Sequence, residues 1–179
     1  MHFESTPLPD AWVIRPEFFH DERGFFARSY DRRDFEARGM NPNVAQCNLS
    51  HNPRKGTLRG MHFQVAPHAE AKLVRCTRGS IYDVIIDMRP ASPTYLRHFG
   101  VVLDAENRLA LYIPEEFAHG YLTLADDSEV FYQMSAYYQP GAARGVRWND
   151  PRFGIAWPGE VTVIAARDRD YPDFVSREE

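Results

Sequence analysis

The sequence predicts an all-β fold, a β-sandwich or jelly roll with a few short helices, and three observations carry that prediction. Short apolar or alternating runs bounded by Gly, Pro, Asn or Asp recur along the whole chain. The 11 glycines and 13 prolines are spread over the length rather than gathered in a linker, which suits frequent turns. Helical periodicity is convincing only over Arg32 to Arg38, where Asp31 is placed to cap and Gly39 to terminate.

Taken in order, the strand candidates are Trp12 to Arg15, Phe25 to Tyr30, Val44 to Ser50, Leu58 to Gln64 and Lys72 to Thr77. They continue with Ile81 to Met88, Phe99 to Leu103, Leu109 to Ile113, Gly120 to Leu124 and Glu129 to Tyr138. A second short helix fits near the C-terminus. No repeat, low-complexity tract or shift of composition divides the chain, so residues 1–179, with 44% hydrophobic content, read as a single domain able to bury its own core.

A net charge of −4 argues against a nucleic-acid partner, which would need a Lys/Arg excess to neutralise phosphates. No apolar stretch approaches the roughly 20 residues of a membrane span, and MHFESTPLPDAW lacks the basic start and apolar run of a signal peptide. Cys47 and Cys76 fall in apolar, strand-like surroundings at neither metal nor disulfide spacing, which predicts two reduced interior thiols and a cytoplasmic location.

Chemistry concentrates in a few segments. KGTLRGMHFQ places Arg59 and His62 on one strand with Gly56 and Gly60 beside them. Their odd spacing faces them oppositely on a regular strand, so a shared pocket requires a bulge or twist near Gly60. In KLVRCTRGSIYDVIIDMR, Asp83 alternates in phase with Ile81 and Ile85; a carboxylate on that apolar face needs a partner, with the histidines and Lys72 as candidates. YIPEEFAHGYLTL delivers His119 onto a strand, and Tyr132, Met134 and Tyr138 share a face if that strand runs on regularly.

Together with GVRWNDPRFGIAWP and ARDRDYP, these segments resemble, in order and from about Val13 to Pro172, the dTDP-4-dehydrorhamnose 3,5-epimerase family. The resemblance implies a cupin jelly roll, usually a homodimer exchanging strands, that acts on a nucleotide-diphosphate 4-keto-6-deoxy sugar without cofactor or metal. The residues speak for the last point: a metal-binding cupin presents two histidines one residue apart, whereas His62 is followed at that spacing by Gln64, and Lys72 adds an ammonium. His62, Glu70 and His119 are what remains of a metal set.

By resemblance, His62 is the base, Asp168 the carboxylate orienting it (Asp170 a rival), Lys72 the charge near O4 and Tyr132 the acid on the opposite face. A C4 ketone acidifies C3 and C5 alike, so one site serves either or both carbons. Asp83, His119 and Tyr138 support the sugar pocket. Arg23 and Arg59 fall on the diphosphate, Phe19 and Phe26 around the base, with Gln46 and Asn48 supplying hydrogen bonds.

Three positions depart from the family. Arg28 stands where a glutamate commonly accepts from thymine, and arginine only donates, which predicts a shift toward cytosine or guanine. Asn52 and Ala143 replace an expected serine and glutamate. The alternatives are a C3-only or C5-only epimerase on a CDP- or GDP-linked sugar, a metal-dependent cupin, and a non-catalytic sugar-binding cupin.

Overall fold

A computed structural model describes residues 1–175. The chain runs β1 (His2–Ser5), β2 (Trp12–Arg15), β3 (Phe18–Asp21), β4 (Gly24–Ala27), α1 (Arg32–Glu36), β5 (Gln46–Asn52), β6 (Thr57–Gln64) and β7 (Lys72–Arg78). It continues through β8 (Ser80–Asp87), β9 (His98–Asp104), β10 (Ala110–Ile113), β11 (Phe117–Thr123), β12 (Ser128–Met134), β13 (Ala143–Gly145), β14 (Val163–Ile164) and α2 (Ala166–Arg169).

The strands form two facing sheets, β1-β2-β10-β7-β12-β5 and β13-β6-β11-β8-β9, the second carrying β14 parallel to β6. The β3–β4 hairpin forms a separate two-stranded ribbon. This is the jelly-roll sandwich that the strand-turn pattern predicts.

Alternation decides what each face touches. Val74 and Cys76 of β7, Ile81 and Ile85 of β8, Leu111 of β10 and Val130 of β12 meet between the sheets. The opposite phase also finds cover: Ile14, Leu73 and Tyr112 pack against Phe35 of α1, and Met61, Val84, Ile86 and Ala118 pack against Val146 and Phe153. Both faces of the central strands are therefore buried, which is why β11 carries no exposed residue and reads as a continuous apolar run rather than an alternating one. Truncating a fully enclosed side chain such as Ile85 to alanine costs about 2–5 kcal/mol.

At one end of the sandwich the inward phase turns polar: Gln46, Asn48 and Ser50 on β5, Lys72 on β7, Tyr132 on β12 and His62 on β6 line open space instead of core. The functional site is built there.

Some details differ from expectation. Helix α1 is capped by the Asp31 carboxylate, which accepts from Arg33 N at 3.0 Å, but it ends at Glu36 instead of reaching Arg38. Strand β12 ends at Met134, so Tyr138 lies beyond it and its alternation with Tyr132 has no meaning. Cys47 is exposed, since Gln46 and Asn48 take the inward phase of β5; only Cys76 is an interior thiol.

Candidate active site

The required irregularity in β6 is present. His119 pairs with His62, yet Tyr121 pairs with Arg59, so a step of two on β11 spans a step of three on β6. The extra residue restores Arg59 and His62 to the same inward face. Glycine is needed at the crossing: Gly60 has φ +127°, and a Cβ there would stand 2.5 Å from Gly120 Cα and 2.8 Å from His119 O.

His62 Nε2 lies 2.7 Å from Asp168 Oδ1. Asp168 is buried on the short α2, and its other oxygen accepts from Gly60 N at 3.1 Å. The bulge thus also supplies a backbone N–H that locks the carboxylate. Burial pushes the Asp168 acid upward, but the His62 ring, the Gly60 N–H and Arg167 together hold it below the usual carboxylate range. An ionised Asp168 keeps the His62 proton on Nε2 and leaves Nδ1, which has no partner among the described residues, as the ring nitrogen able to take a proton. Arg167 reaches Asp168 Oδ1 at 3.2 Å and comes within 3.1 Å of His62 Nε2. With the Nε2 proton turned to the carboxylate, only the carboxylate can accept from that guanidinium.

Lys72 is buried, and Nζ contacts Glu70 Oε1 at 3.1 Å and the His62 carbonyl at 3.4 Å. Of its three donors, one remains for a ligand oxygen. Glu70, also buried, is held in turn by the Gln64 amide at 2.5 Å. Beside Lys72 on the same sheet is Tyr132, whose hydroxyl is raised by burial, lowered by Arg59 and raised by Glu70, with a net upward shift that keeps it a proton donor at neutral pH. His119 Nε2 bonds Asp83 Oδ1 at 2.8 Å, giving the buried Asp83 the partner its apolar face demands; its second oxygen has none among the described residues. The three side chains of the would-be metal set therefore have different partners: His62 with Asp168, Glu70 with Lys72, His119 with Asp83.

These groups stand between two cavities of about 530 and 500 Å³ that share His62, Lys72, Tyr132 and Arg167. Arg59 and His119 line the first; Gln46, Asn48, Glu70 and Tyr138 line the second. Tyr138 reaches it from the loop after β12, its backbone N–H donating to Gln46 Oε1 at 2.6 Å. Such an arrangement holds a base, a cation and a hydroxyl donor around one volume.

Phe19, Arg23, Phe26 and Arg28 are not brought there. Phe19 and Phe26 lie exposed on the β3–β4 hairpin, Arg23 pairs with Asp21 at its tip, and Arg28 pairs with Asp31 at 2.8 Å beside a different cleft. Asp170 faces solvent against Arg169 and does not contact His62. Sequence reasoning missed two participants. Arg167 was signalled only by its place next to Asp168, and Glu70, considered there only as a metal ligand, by being an acid in phase with Lys72 two residues on.

The family model for dTDP-4-dehydrorhamnose 3,5-epimerase matches residues 5–176. A dTDP-4-dehydrorhamnose 3,5-epimerase of Shigella flexneri is 40% identical over 176 residues, covering 98% of this chain and 97% of its own. The dTDP-4-dehydrorhamnose 3,5-epimerase of Bacillus anthracis, solved with TDP and PPi bound, superposes with a TM-score of 0.92 at 38% identity over 97% of this chain and 99% of that one. The dTDP-6-deoxy-D-glucose-3,5-epimerase of Legionella pneumophila, solved with dTDP-4-keto-L-rhamnose, gives 0.87 at 34% identity over 93% and 89%.

Proposed function

This chain belongs to the dTDP-4-dehydrorhamnose 3,5-epimerase family, and from that premise we propose how its site inverts the carbons flanking the ketone of a dTDP-linked 4-keto-6-deoxyhexose. It is an isomerase of nucleotide-linked sugars. His62 Nδ1 removes the proton from C3 or C5; the charge delocalises onto O4, where the free donor of Lys72 stabilises the enolate more than the ketone. Tyr132 returns a proton on the opposite face. The imidazolium left behind is stabilised by Asp168, and Asp83 with His119 sets the charge around the sugar. The observation that carries this reading is the His62–Asp168 contact of 2.7 Å, completed by Lys72 and Tyr132 on the facing sheet.

Arg59 and Arg167, facing the first cavity, suit the diphosphate. Arg28 lies away from its own chain's pocket, with one nitrogen on Asp31, and thymine, the base of the relatives' named substrates, is the preferred reading. A homodimer accounts for the exposed hairpin: two aromatic rings and Arg23 stand outside their own chain's pocket, where a second copy could receive them. No helix among the described residues is long and apolar enough to cross a membrane, and the free thiols Cys47 and Cys76 suit a reducing cytoplasm.

The test is deuterium incorporation from D2O into dTDP-, CDP- and GDP-4-keto-6-deoxyglucose by chelator-treated protein, with His62→Ala as control. Two enzyme-dependent deuterons on the dTDP sugar are expected. One deuteron would reduce the reaction to a single centre, and none would overturn the reading.

A further inference from the structure

Arg59 is held differently from the arginines that form ion pairs. Arg23, Arg28, Arg89 and Arg167 each lie against a carboxylate. The Arg59 Nε instead donates to Asn52 Oδ1 at 2.8 Å, a neutral acceptor. Asn52 is fully buried, and its other end is also engaged: Nδ2 lies 3.2 Å from Ser128 O, 3.3 Å from the Tyr121 hydroxyl and 3.3 Å from Ser50 O. The Tyr121 hydroxyl continues to Ser50 Oγ at 2.9 Å. Because a guanidinium only donates, the orientation of the amide is fixed by chemistry.

This small network ties β5 and β12 of one sheet to β6 and β11 of the other, behind the wall of the first cavity that Ser50, Arg59 and Tyr121 line. Burying an amide is costly unless its groups are paired, and here they are paired around the root of one arginine. A carboxylate in the same place would orient Arg59 equally well but would cancel the charge that a phosphate needs. The amide orients without neutralising, and the Nη donors stay available in a fixed plane.

We propose that Asn52 is a positioning residue for anion capture: its buried amide aims Arg59 at the diphosphate of the substrate while leaving the guanidinium charge intact. The proposal rests on the reading of Arg59 as a diphosphate ligand, and the experiment separates the two.

Binding of dTDP and of inorganic pyrophosphate to the full chain is measured by titration calorimetry for the parent protein, Asn52→Leu, Asn52→Asp, Arg59→Ala and the Asn52→Leu/Arg59→Ala pair, with steady-state kinetics alongside. Asn52→Leu should weaken dTDP binding about tenfold, the usual effect of losing a hydrogen bond to a charged group, raising KM by a like factor with kcat within about threefold. Asn52→Asp, nearly isosteric, should bind dTDP at least as weakly and show a shallower salt dependence, a result that no loss of packing would produce. In the Arg59→Ala background Asn52→Leu should add no further weakening. The proposal is overturned if both Asn52 variants bind within about twofold of the parent while Arg59→Ala loses about tenfold or more; Asn52→Asp decides alone if Asn52→Leu does not fold. Unchanged binding in Arg59→Ala would overturn the diphosphate reading itself, and the proposal with it.

Discussion

Replacing Asp168 by asparagine exchanges one oxygen for an amide nitrogen, and the surroundings leave that nitrogen no good place. If the amide oxygen stays on His62 Nε2, where Oδ1 now sits at 2.7 Å, the NH2 group faces the Gly60 N–H at 3.1 Å, donor against donor. That strands a buried backbone donor at about 1–3 kcal/mol. If the amide flips, Gly60 is satisfied, and the group that suffers is the exposed Arg167, whose contact contributes under about 1 kcal/mol. The flip therefore wins by about 1 kcal/mol or more. It makes the amide donate to Nε2, which moves the imidazole proton to Nδ1 and removes the base. The expected result is a loss of about 10²–10⁴ in kcat, with dTDP binding within about threefold. Deuterium exchange from D2O gives the rate, and 15N NMR of the His62 ring gives the tautomer. Exchange within about tenfold of the parent, or a ring still protonated on Nε2 in a crippled variant, would refute the reasoning.

Lys72→Met strands the buried Glu70 carboxylate and should destabilise the fold by about 3–5 kcal/mol; adding Glu70→Gln should recover most of it in urea unfolding, and no recovery would count against the pair. Gly60→Ala places a methyl 2.5 Å from Gly120 Cα in a left-handed conformation and should cost at least about 3 kcal/mol or prevent folding, read by thermal unfolding. Asp168 is held below its unfolded value, so its stabilisation is present above about pH 4 and drains away as pH falls through the lower folded value. Acid unfolding of Asp168→Asn should accordingly be less steep in that range, and an unchanged slope would remove Asp168 from the account.

The fold class was legible because it depends on local alternation and turns, and the strands from Gln46 to Met134 fall close to where those patterns place them. Their ends were less so: Gln133 and Met134 do not announce that β12 stops before Tyr137 and Tyr138. The bulge in β6 could be deduced as a condition for Arg59 and His62 to share a pocket, but its occurrence depends on the contact between Gly60 and Gly120 across two strands. The His62–Asp168 partnership joins residues 106 apart in sequence, which no periodicity reports; only the motif resemblance pointed to it. Arg167 and Glu70 were hidden for the converse reason, being ordinary surface-type residues whose importance comes from what folds against them. The hairpin residues show a third limit: Phe19, Phe26 and Arg23 stand away from their own chain's pocket, which nothing in their strand pattern reports.

The bulge at Gly60 also bears on how such a chain can change by insertion and deletion. Removing a single residue there would match a step of two on β6 to the step of two on β11 and leave Arg59 and His62 on the same inner face, though without the Gly60 N–H that holds Asp168. A one-residue gap in an alignment at Gly60 would therefore be compatible with the same inner surface, whereas regularising the pairing at full length would turn His62 away from Arg59.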